Sequence, residues 1–264
     1  MSGLLITTLA TLIIGVCSKR ARFYAKFMLL GLGVILVTVP FVPFMLLRGR
    51  DYRNVLVPSK CFIFLGKLLG ITFEVRGLEN IDKERGGVVV VNHQSALDII
   101  ICCHLALVIG KFTAVVKKEI FYIFPFGWLW GTIYLDRKNK KAGRNFISQE
   151  IEEIKNNQVK VLIYPEGTRN QGTELLPFKK GAFHIALEAQ SDIYPVVVSR
   201  YHFLDSKSYR FGSGKSVIEI LPPISTKGMT KNDIEHLIKV TRDLMQQKYK
   251  ELSSESLRIN KVKF

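Results

Sequence analysis

A long uncharged segment near the N-terminus most constrains how this chain can fold. Residues 27 to 47 (FMLLGLGVILVTVPFVPFMLL) contain no charged side chain, and a helix needs about 20 apolar residues to span a bilayer. A shorter uncharged segment, residues 3 to 17, precedes it. A cleaved signal peptide is the alternative for the first segment, but no lysine or arginine precedes its apolar run. We predict that residues 1–50 form a membrane anchor of two helices.

Basic residues on both sides of the longer segment indicate how the anchor meets the membrane. They are Lys19, Arg20, Arg22 and Lys26 before it, and Arg48, Arg50 and Arg53 after it. Both clusters favour the cytoplasmic face, and a helix that crossed fully would place them on opposite faces. Pro40 and Pro43 would also interrupt the helix near its end. We expect two helices that dip into one leaflet, with one or two full spans as the alternative.

Beyond residue 50, apolar runs alternate with amphipathic stretches, as is typical of α/β domains. Strands are predicted at 71–76, 86–91, 112–116, 132–135, 159–164, 193–198 and 217–221. Helices are predicted at 95–108, 141–156, 181–190 and 231–251, followed by a frayed tail at 253–264. The prediction for residues 51–264 is therefore one α/β domain with a mixed central sheet flanked by helices.

The net charge of +16 indicates an anionic partner, such as nucleic acid, a phosphate-bearing substrate or a membrane surface. The sequence contains no recognisable nucleic-acid-binding motif, and the anchor favours the membrane. The cysteines at 17, 61, 102 and 103 lack metal-ligand spacing, so no metal site is predicted. Residues 212–216 (GSGKS) resemble the end of a P-loop, but Tyr209 occupies the position of its first glycine. We therefore predict a hairpin turn there and no ATP site.

The stretch VVVVNHQSALDII places polar residues directly after an apolar strand, at residues 88 to 100. His93 and Asp98 are five residues apart, about 140° around one helix, so they can meet only if His93 precedes the helix. Ser95 is a candidate N-cap for the intervening turn. The alternative is purely structural, because Ser95 and Asp98 also fit a capping pair.

Cations recur at other strand ends. The segment IYPEGTRN places Glu166, Gly167 and Arg169 after a strand, at the edge where open α/β sheets bind ligands. GTIYLDR ends in Arg137, and PFKKGAF places Lys179 and Lys180 before a helix. Arginine beside a flexible glycine suits bidentate phosphate binding.

Four ordered blocks resemble the NHxxxxD glycerolipid acyltransferase family, and in particular its membrane-bound 1-acylglycerol-3-phosphate acyltransferases. The blocks are NHQSALD at 92–98, GTIYLDR at 131–137, EGTR at 166–169 and IYPVVV at 193–198. The resemblance implies transfer of an acyl chain from acyl-CoA to the sn-2 hydroxyl of lysophosphatidic acid, which gives phosphatidic acid. It implies acyl-CoA as co-substrate and no bound cofactor.

The residues can carry this chemistry as a general-base reaction. His93 would take the proton of the attacking hydroxyl, and Asp98 would fix the imidazole tautomer, as the aspartate of a hydrolase triad does. The substrate hydroxyl would replace the serine of such a triad, so no acyl-enzyme is expected. Backbone N–H groups near residues 93–96 are expected to bind the oxyanion.

The family's use of the EGTR block implies that Arg169 binds the acceptor phosphate, with Glu166 and Gly167 shaping its loop. Arg137, Lys180 and Lys117 are further candidates for this phosphate or for those of coenzyme A, and the sequence does not separate the two roles.

The family also implies a membrane enzyme of the endoplasmic reticulum with its catalytic domain at the cytoplasmic face. Cationic side chains would add attraction to anionic lipid. Two alternatives remain: an acyltransferase acting on another lysophospholipid or on glycerol-3-phosphate, and an inactive lipid-binding protein. A serine lipase is disfavoured because the chain lacks a G-x-S-x-G motif.

Overall fold

A computed structural model describes residues 18–136 and 140–261 of the chain. Its helices are α1 (Lys19–Thr38), α2 (Val42–Arg48), α3 (Leu56–Leu68), α4 (Asp98–Ala106), α5 (Glu119–Ile123), α6 (Lys140–Asn157), α7 (Gly181–Ala189) and α8 (Ile234–Lys261). Its strands are β1 (Ile71–Arg76), β2 (Gly87–Val91), β3 (Phe112–Lys117), β4 (Ile133–Leu135), β5 (Lys160–Ile163), β6 (Ile193–Val198), β7 (Leu204–Asp205), β8 (Arg210–Phe211) and β9 (Gly214–Ile220). All seven predicted strands and all four predicted helices form; β1 and β6 have the predicted ends, and the other elements have shifted ends.

Seven strands form one sheet in the order β1-β9-β6-β2-β5-β3-β4, and β7 pairs with β8 in a separate hairpin. Neighbouring strands in the large sheet are parallel except at β6 and β9, which run antiparallel. The prediction of a mixed sheet is therefore confirmed. Strand β2 lies in the interior between β6 and β5, so the chain leaves the middle of the sheet at Asn92.

The two faces of the sheet are covered by different helices. Val89 and Val91 of β2 belong to an apolar cluster that includes residues of α1, α3 and α4. Val88 and Val90 belong to a second cluster that includes residues of α6, α7 and α8. Each of these valines is fully buried, which stabilises the fold by about 1.5–3 kcal/mol per side chain. The valine run is uninterrupted because both faces of this strand are covered.

Among the described residues, one helical stretch is long and apolar enough to cross a membrane. It runs from Lys19 to Arg48, with a mean hydropathy of 2.4 in its most apolar window, of which 22% is buried. The α-helix is replaced by a 3-10 turn at Val39–Phe41. The prediction that the prolines interrupt the helix near its end is therefore confirmed. The basic residues that precede the longer apolar segment lie in the first turns of α1. The other predicted anchor segment, residues 3 to 17, lies outside the described residues, so the pair of anchoring helices stays a prediction.

Helix α1 packs closely against α3, which the sequence did not predict. A Cβ atom at Gly33 of α1 would overlap the side chain of Leu65 in α3, so this approach requires glycine. Closer to the start of α1, Lys26 Nζ donates to the backbone oxygen of Phe211, at 2.7 Å. The apolar helix is therefore attached to the α/β fold along one side.

Large apolar side chains remain exposed on the opposite side of this helical layer. Met28, Leu36, Phe44 and Leu47 on the first stretch are all more than 60% exposed, as are Phe64 and Leu68 of α3. Tyr122 and Trp128, on the segment after β3, are also exposed. Apolar surface with tyrosine and tryptophan is typical of proteins that contact a bilayer. The fold thus presents a surface suited to membrane association.

The frayed tail predicted at 253–264 is wrong for residues 253–261, because α8 continues to Lys261. Ser256 and Asn260 are buried, and the Asn260 side chain bonds both backbone groups of Lys215 in β9. Polar residues on this helix therefore face the sheet edge, which a search for apolar periodicity does not detect. The hairpin turn predicted at GSGKS is wrong, because Gly214, Lys215 and Ser216 already belong to β9 and β8 pairs with β7 instead of β9.

Candidate active site

Asn92 fixes the exit of the chain from the sheet. Its side-chain oxygen accepts from Val198 N at 2.7 Å, and its side-chain nitrogen donates to Val198 O at 3.0 Å. The buried amide therefore continues the β2–β6 ladder by one step, in place of a backbone peptide. His93, the next residue, is held at the carboxyl edge of the sheet.

His93 and Asp98 lie in direct contact. His93 Nδ1 is 2.6 Å from Asp98 Oδ2, and Asp98 is the first residue of α4. The Asp98 side chain is 4% exposed and that of His93 is 21% exposed, so the pair is buried with one open side at the imidazole. The prediction that His93 precedes the helix and the chain turns back to Asp98 is confirmed.

One carboxylate oxygen of Asp98 both contacts His93 and accepts hydrogen bonds from the backbone of the turn. Asp98 Oδ2 also accepts from Gln94 N at 2.7 Å and from Ser95 N at 3.2 Å. Ser95 Oγ accepts from Leu97 N at 2.9 Å, inside the turn, whereas α4 begins at Asp98. The prediction of Ser95 as N-cap is wrong, because the N-cap of α4 is Leu97 and has no side-chain cap bond; the bonds within the turn instead aim the Asp98 carboxylate at the histidine.

Tyr164 fixes the plane of the imidazole. Its ring stacks on His93 with centroids 4.3 Å apart and an interplanar angle of 29°. Its hydroxyl lies 3.3 Å from both Asp98 O and Cys102 Sγ. Burial raises the pKa of Tyr164 well above its usual value, so the hydroxyl stays protonated. Nothing in the sequence pattern singled out this residue.

Glu166 joins the histidine turn to the loop that follows β5. Its Oε1 accepts from His93 N at 2.8 Å, and its Oε2 accepts from Leu176 N at 2.9 Å. The side chain is buried, and burial raises its pKa. Each carboxylate oxygen accepts a backbone N–H group, so Glu166 shapes the loop, as the sequence suggested. Neither oxygen is directed at the place of an acceptor substrate.

Arg169 lies on the outside of this loop. It is exposed, and its guanidinium has no hydrogen bond or ion pair with the described residues. The next residue, Asn170, donates its N–H to His93 O at 2.8 Å. The exposed cation of Arg169 is therefore next in sequence to a residue that hydrogen-bonds directly to His93.

Lys179 lies against the same loop. Gly167 has a φ of +69°, and a Cβ atom added to it would lie 2.5 Å from Lys179 Nζ. This contact requires glycine for both its backbone conformation and its lack of a side chain. Lys180, the candidate chosen from the sequence, instead pairs with Glu235 of α8. The structure thus directs the two adjacent lysines to different places.

The remaining sequence candidates are less clearly placed. Lys117 ends β3 and is exposed, and its side chain forms no ion pair with the described residues. Asp136 lies 3.8 Å from Lys118, at the end of β4. Arg137 lies outside the described residues.

The backbone donors predicted for the oxyanion are mostly occupied. The N–H group of His93 binds Glu166, and those of Gln94 and Ser95 bind Asp98. The expectation is therefore wrong for these three groups, because the turn uses them to hold its own carboxylates. Ala96 is exposed, and its N–H has no partner among the described residues.

Burial makes the thiols near the site unreactive. Burial raises the pKa of Cys102 to about 11 and that of Cys103 to about 12, so neither is a thiolate near neutral pH. Within residues 18–136 and 140–261, no group of three or more metal-ligating side chains could hold an ion.

Comparison with known proteins identifies relatives over most of the chain. The Acyltransferase family model matches residues 72–199. The human 1-acyl-sn-glycerol-3-phosphate acyltransferase alpha is 33% identical over 243 residues, which cover 90% of this chain and 85% of the human protein. The Saccharomyces cerevisiae 1-acyl-sn-glycerol-3-phosphate acyltransferase is 36% identical over 218 residues, covering 78% of this chain and 69% of the yeast protein.

A solved structure shares the fold. The crystal structure of PlsC, the 1-acyl-sn-glycerophosphate (LPA) acyltransferase from Thermotoga maritima, superposes with a TM-score of 0.60. The match is 24% identical in sequence and covers 89% of this chain and 99% of the bacterial one. Together with the relatives above 30% identity, this shows that the chain belongs to the NHxxxxD acyltransferase family that includes the 1-acyl-sn-glycerol-3-phosphate acyltransferases.

Proposed function

We propose that this protein transfers a fatty acyl chain from acyl-CoA to the sn-2 hydroxyl of 1-acyl-sn-glycerol-3-phosphate, giving phosphatidic acid. The observation that carries the proposal is the His93–Asp98 pair, buried on all sides except at the imidazole. The acceptor is the substrate in the names of the human and yeast relatives. Acyl-CoA is proposed as donor because a thioester carries an activated acyl group and a good leaving group.

The pair sets the tautomer that the reaction needs. Since Asp98 accepts at Nδ1, the proton of neutral His93 resides on Nδ1 and its Nε2 is the free base. Nε2 takes the proton of the acceptor hydroxyl as that oxygen bonds to the thioester carbon. The C–S bond then breaks, and the imidazolium returns the proton to the departing thiolate. No acyl-enzyme forms, because the acceptor itself attacks the thioester.

The loop after β5 supplies charge for the acceptor phosphate. Arg169 offers a planar guanidinium that can bind two phosphate oxygens. Lys179 places a second cation at the Gly167 turn, and Lys117 is a third candidate. Arg137 is retained from the family pattern. Lys180 is a weaker candidate because it already has an anionic partner in Glu235.

The exposed apolar layer gives the reaction its location. Both acyl-bearing substrates partition into bilayers, and the exposed side chains of α1, α2 and α3 would lie in the lipid. A protein with a net charge of +16 would also be attracted to an anionic leaflet, by about 1 kcal/mol for each cation near the surface. We place the catalytic domain at the cytoplasmic face of the endoplasmic reticulum, with α1 and α2 dipping into that leaflet.

The test is acyl transfer from radiolabelled oleoyl-CoA by the purified full-length protein. Lysophosphatidic acid, other lysophospholipids and glycerol-3-phosphate are offered in parallel, with Asp98→Asn as the impaired control. Labelled phosphatidic acid formed by the wild type, and at a rate at least about 100-fold lower by the variant, supports the proposal. Preference for another acceptor would change the substrate and keep the chemistry, whereas no transfer by folded protein would favour an inactive lipid-binding protein.

A further inference from the structure

The second oxygen of the Asp98 carboxylate has a partner distant in sequence. Tyr201 donates its hydroxyl to Asp98 Oδ1 at 2.8 Å. The other three donors to this carboxylate, from His93, Gln94 and Ser95, all reach Oδ2. Among the described residues, Tyr201 is therefore the one donor to Oδ1, and it lies in the segment after β6.

Tyr201 is itself held from several sides. Its side chain is buried, with the ring stacked on Phe203 and edge-on to Phe73. Its backbone N–H donates to Gln94 Oε1 at 3.2 Å, and the Gln94 amide nitrogen donates back to Val198 and Ser199. The hydroxyl is therefore aimed at Asp98 by packing and by a hydrogen-bonded link to the histidine turn.

The hydroxyl must act as a donor here. Burial, and then the negative charge of Asp98, raise the pKa of Tyr201 well above its usual value. An ionised carboxylate can only accept, so the proton of this bond belongs to the tyrosine. The bond consequently spreads the charge of Asp98 over both of its oxygens.

We propose that Tyr201 is a positioning residue of the active site, which acts through Asp98 to set how firmly His93 holds the transferred proton. The inference rests on the proposed general-base role of His93. Tyr201 keeps Oδ1 turned away from the imidazole and Oδ2 aligned with Nδ1. It also limits the charge that Asp98 presents to the imidazolium, so that the proton can leave again with the thiolate.

Loss of the hydroxyl has a directional consequence. In Tyr201→Phe the ring packing is kept, but Oδ1 is left buried without a donor, and more negative charge faces His93. The imidazolium is then stabilised, so the acid limb of the pH profile of kcat/KM should move to higher pH. We expect kcat to fall about tenfold, the scale of one hydrogen bond to a charged group, with the KM of each substrate within about twofold.

Other titratable groups around the pair are unchanged in this variant. They are Tyr164 and Glu166 from the segment after β5, Cys102 from α4 and Tyr249 from α8. A shift of the acid limb can therefore be assigned to the lost hydroxyl.

The experiment compares pH profiles of acyl transfer for wild type, Tyr201→Phe and Tyr249→Phe. Tyr249 is the matched control, because it is equally buried and its hydroxyl donates to a backbone oxygen, that of Gly172, at 2.9 Å. Both variants lose a buried hydroxyl, but only Tyr201→Phe should move the acid limb. A Tyr201→Phe profile that coincides with that of the wild type would overturn the proposal.

A double variant tests whether Tyr201 acts through Asp98. In an Asp98→Asn background, Tyr201→Phe should change kcat by no more than about twofold, since the two residues share one interaction. A further full tenfold loss in that background would contradict the proposal.

If Tyr201→Phe does not fold, site-specific 3,5-difluorotyrosine at position 201 keeps the ring and strengthens the hydrogen-bond donor. The acid limb of the pH profile should then move to lower pH, and an unmoved limb would overturn the proposal.

Failure of this inference is distinguishable from failure of the proposed function. If His93→Ala keeps full activity, the general-base mechanism itself is wrong. If His93→Ala and Asp98→Asn lose activity while Tyr201→Phe matches the wild type in kcat and pH profile, only the role of Tyr201 is wrong.

Discussion

Two loops at the same edge of the sheet are built in opposite ways. In the turn from Asn92 to Asp98, the polar side chains are nearly all buried and every one takes part in a described hydrogen bond. In the loop from Glu166 to Lys180, Arg169 and Lys179 are exposed, and neither side chain forms an ion pair with the described residues. The two loops are joined by Glu166 and by the bond from Asn170 to His93.

The difference indicates a division of labour. Proton transfer depends on fixed geometry, and a turn that satisfies its own carboxylate keeps Asp98 aligned before substrate arrives. Phosphate binding requires charge that is available, and exposed cations supply it without an internal competitor. Changes in the buried turn should therefore lower kcat, and changes in the exposed loop should raise the KM of the acceptor.

The largest expected effect belongs to the buried turn. Asp98→Asn replaces an oxygen that accepts three bonds with an amide that cannot hold the Nδ1 tautomer in the same way. We expect kcat to fall at least about 100-fold, the lower end for loss of general-base catalysis, with little change in either KM. Steady-state kinetics with both substrates varied measure this. Asp205→Asn, at the end of β7 where the side-chain hydrogen bonds are exposed, is the control and should retain wild-type kcat.

Arg169→Ala should produce a smaller effect of the other kind. Loss of a charge-assisted hydrogen bond to phosphate should raise the KM of lysophosphatidic acid by about 10-fold to 100-fold. The same kinetic measurement checks it, with the KM of acyl-CoA as the internal reference. A rise confined to acyl-CoA would reassign Arg169 to the donor and break the proposed division.

The adjacent lysines offer the sharpest matched pair, with the smallest effect. Lys179→Ala should raise the KM of the acceptor by up to about fivefold, since exposed ionic contacts are worth about 1 kcal/mol at most. Lys180→Ala should raise it less, because its ammonium is engaged by Glu235. The measurement is the KM of the acceptor for Lys179→Ala compared with that for Lys180→Ala. A larger effect from Lys180→Ala would restore the choice made from the sequence.

Much of the fold was predictable because its strands are short, β-branched and bounded by polar turns. Helix α3 was missed because it carries Pro58 in its first turn, and a proline in an apolar run is a signal for a break in a helix. The last ten residues of α8 were missed because two of their three buried positions, Ser256 and Asn260, are polar.

The site was predictable where it is local in sequence. His93 and Asp98 share one turn, and their spacing alone implied the reversal of the chain. The bonds from Tyr201 to Asp98 and from Glu166 to the histidine turn join residues 103 and 73 positions apart, which no local pattern encodes. The choice between Lys179 and Lys180 likewise depends on side-chain direction, which only the packed structure determines.

The central claim is that His93, aligned by Asp98, is the base of acyl transfer. The most direct test is the turnover number of His93→Ala with saturating oleoyl-CoA and lysophosphatidic acid, on protein whose thermal unfolding matches that of the wild type. We expect the turnover number to fall at least about 100-fold with the binding of both substrates retained. A folded variant that turns over at the wild-type rate would contradict the account.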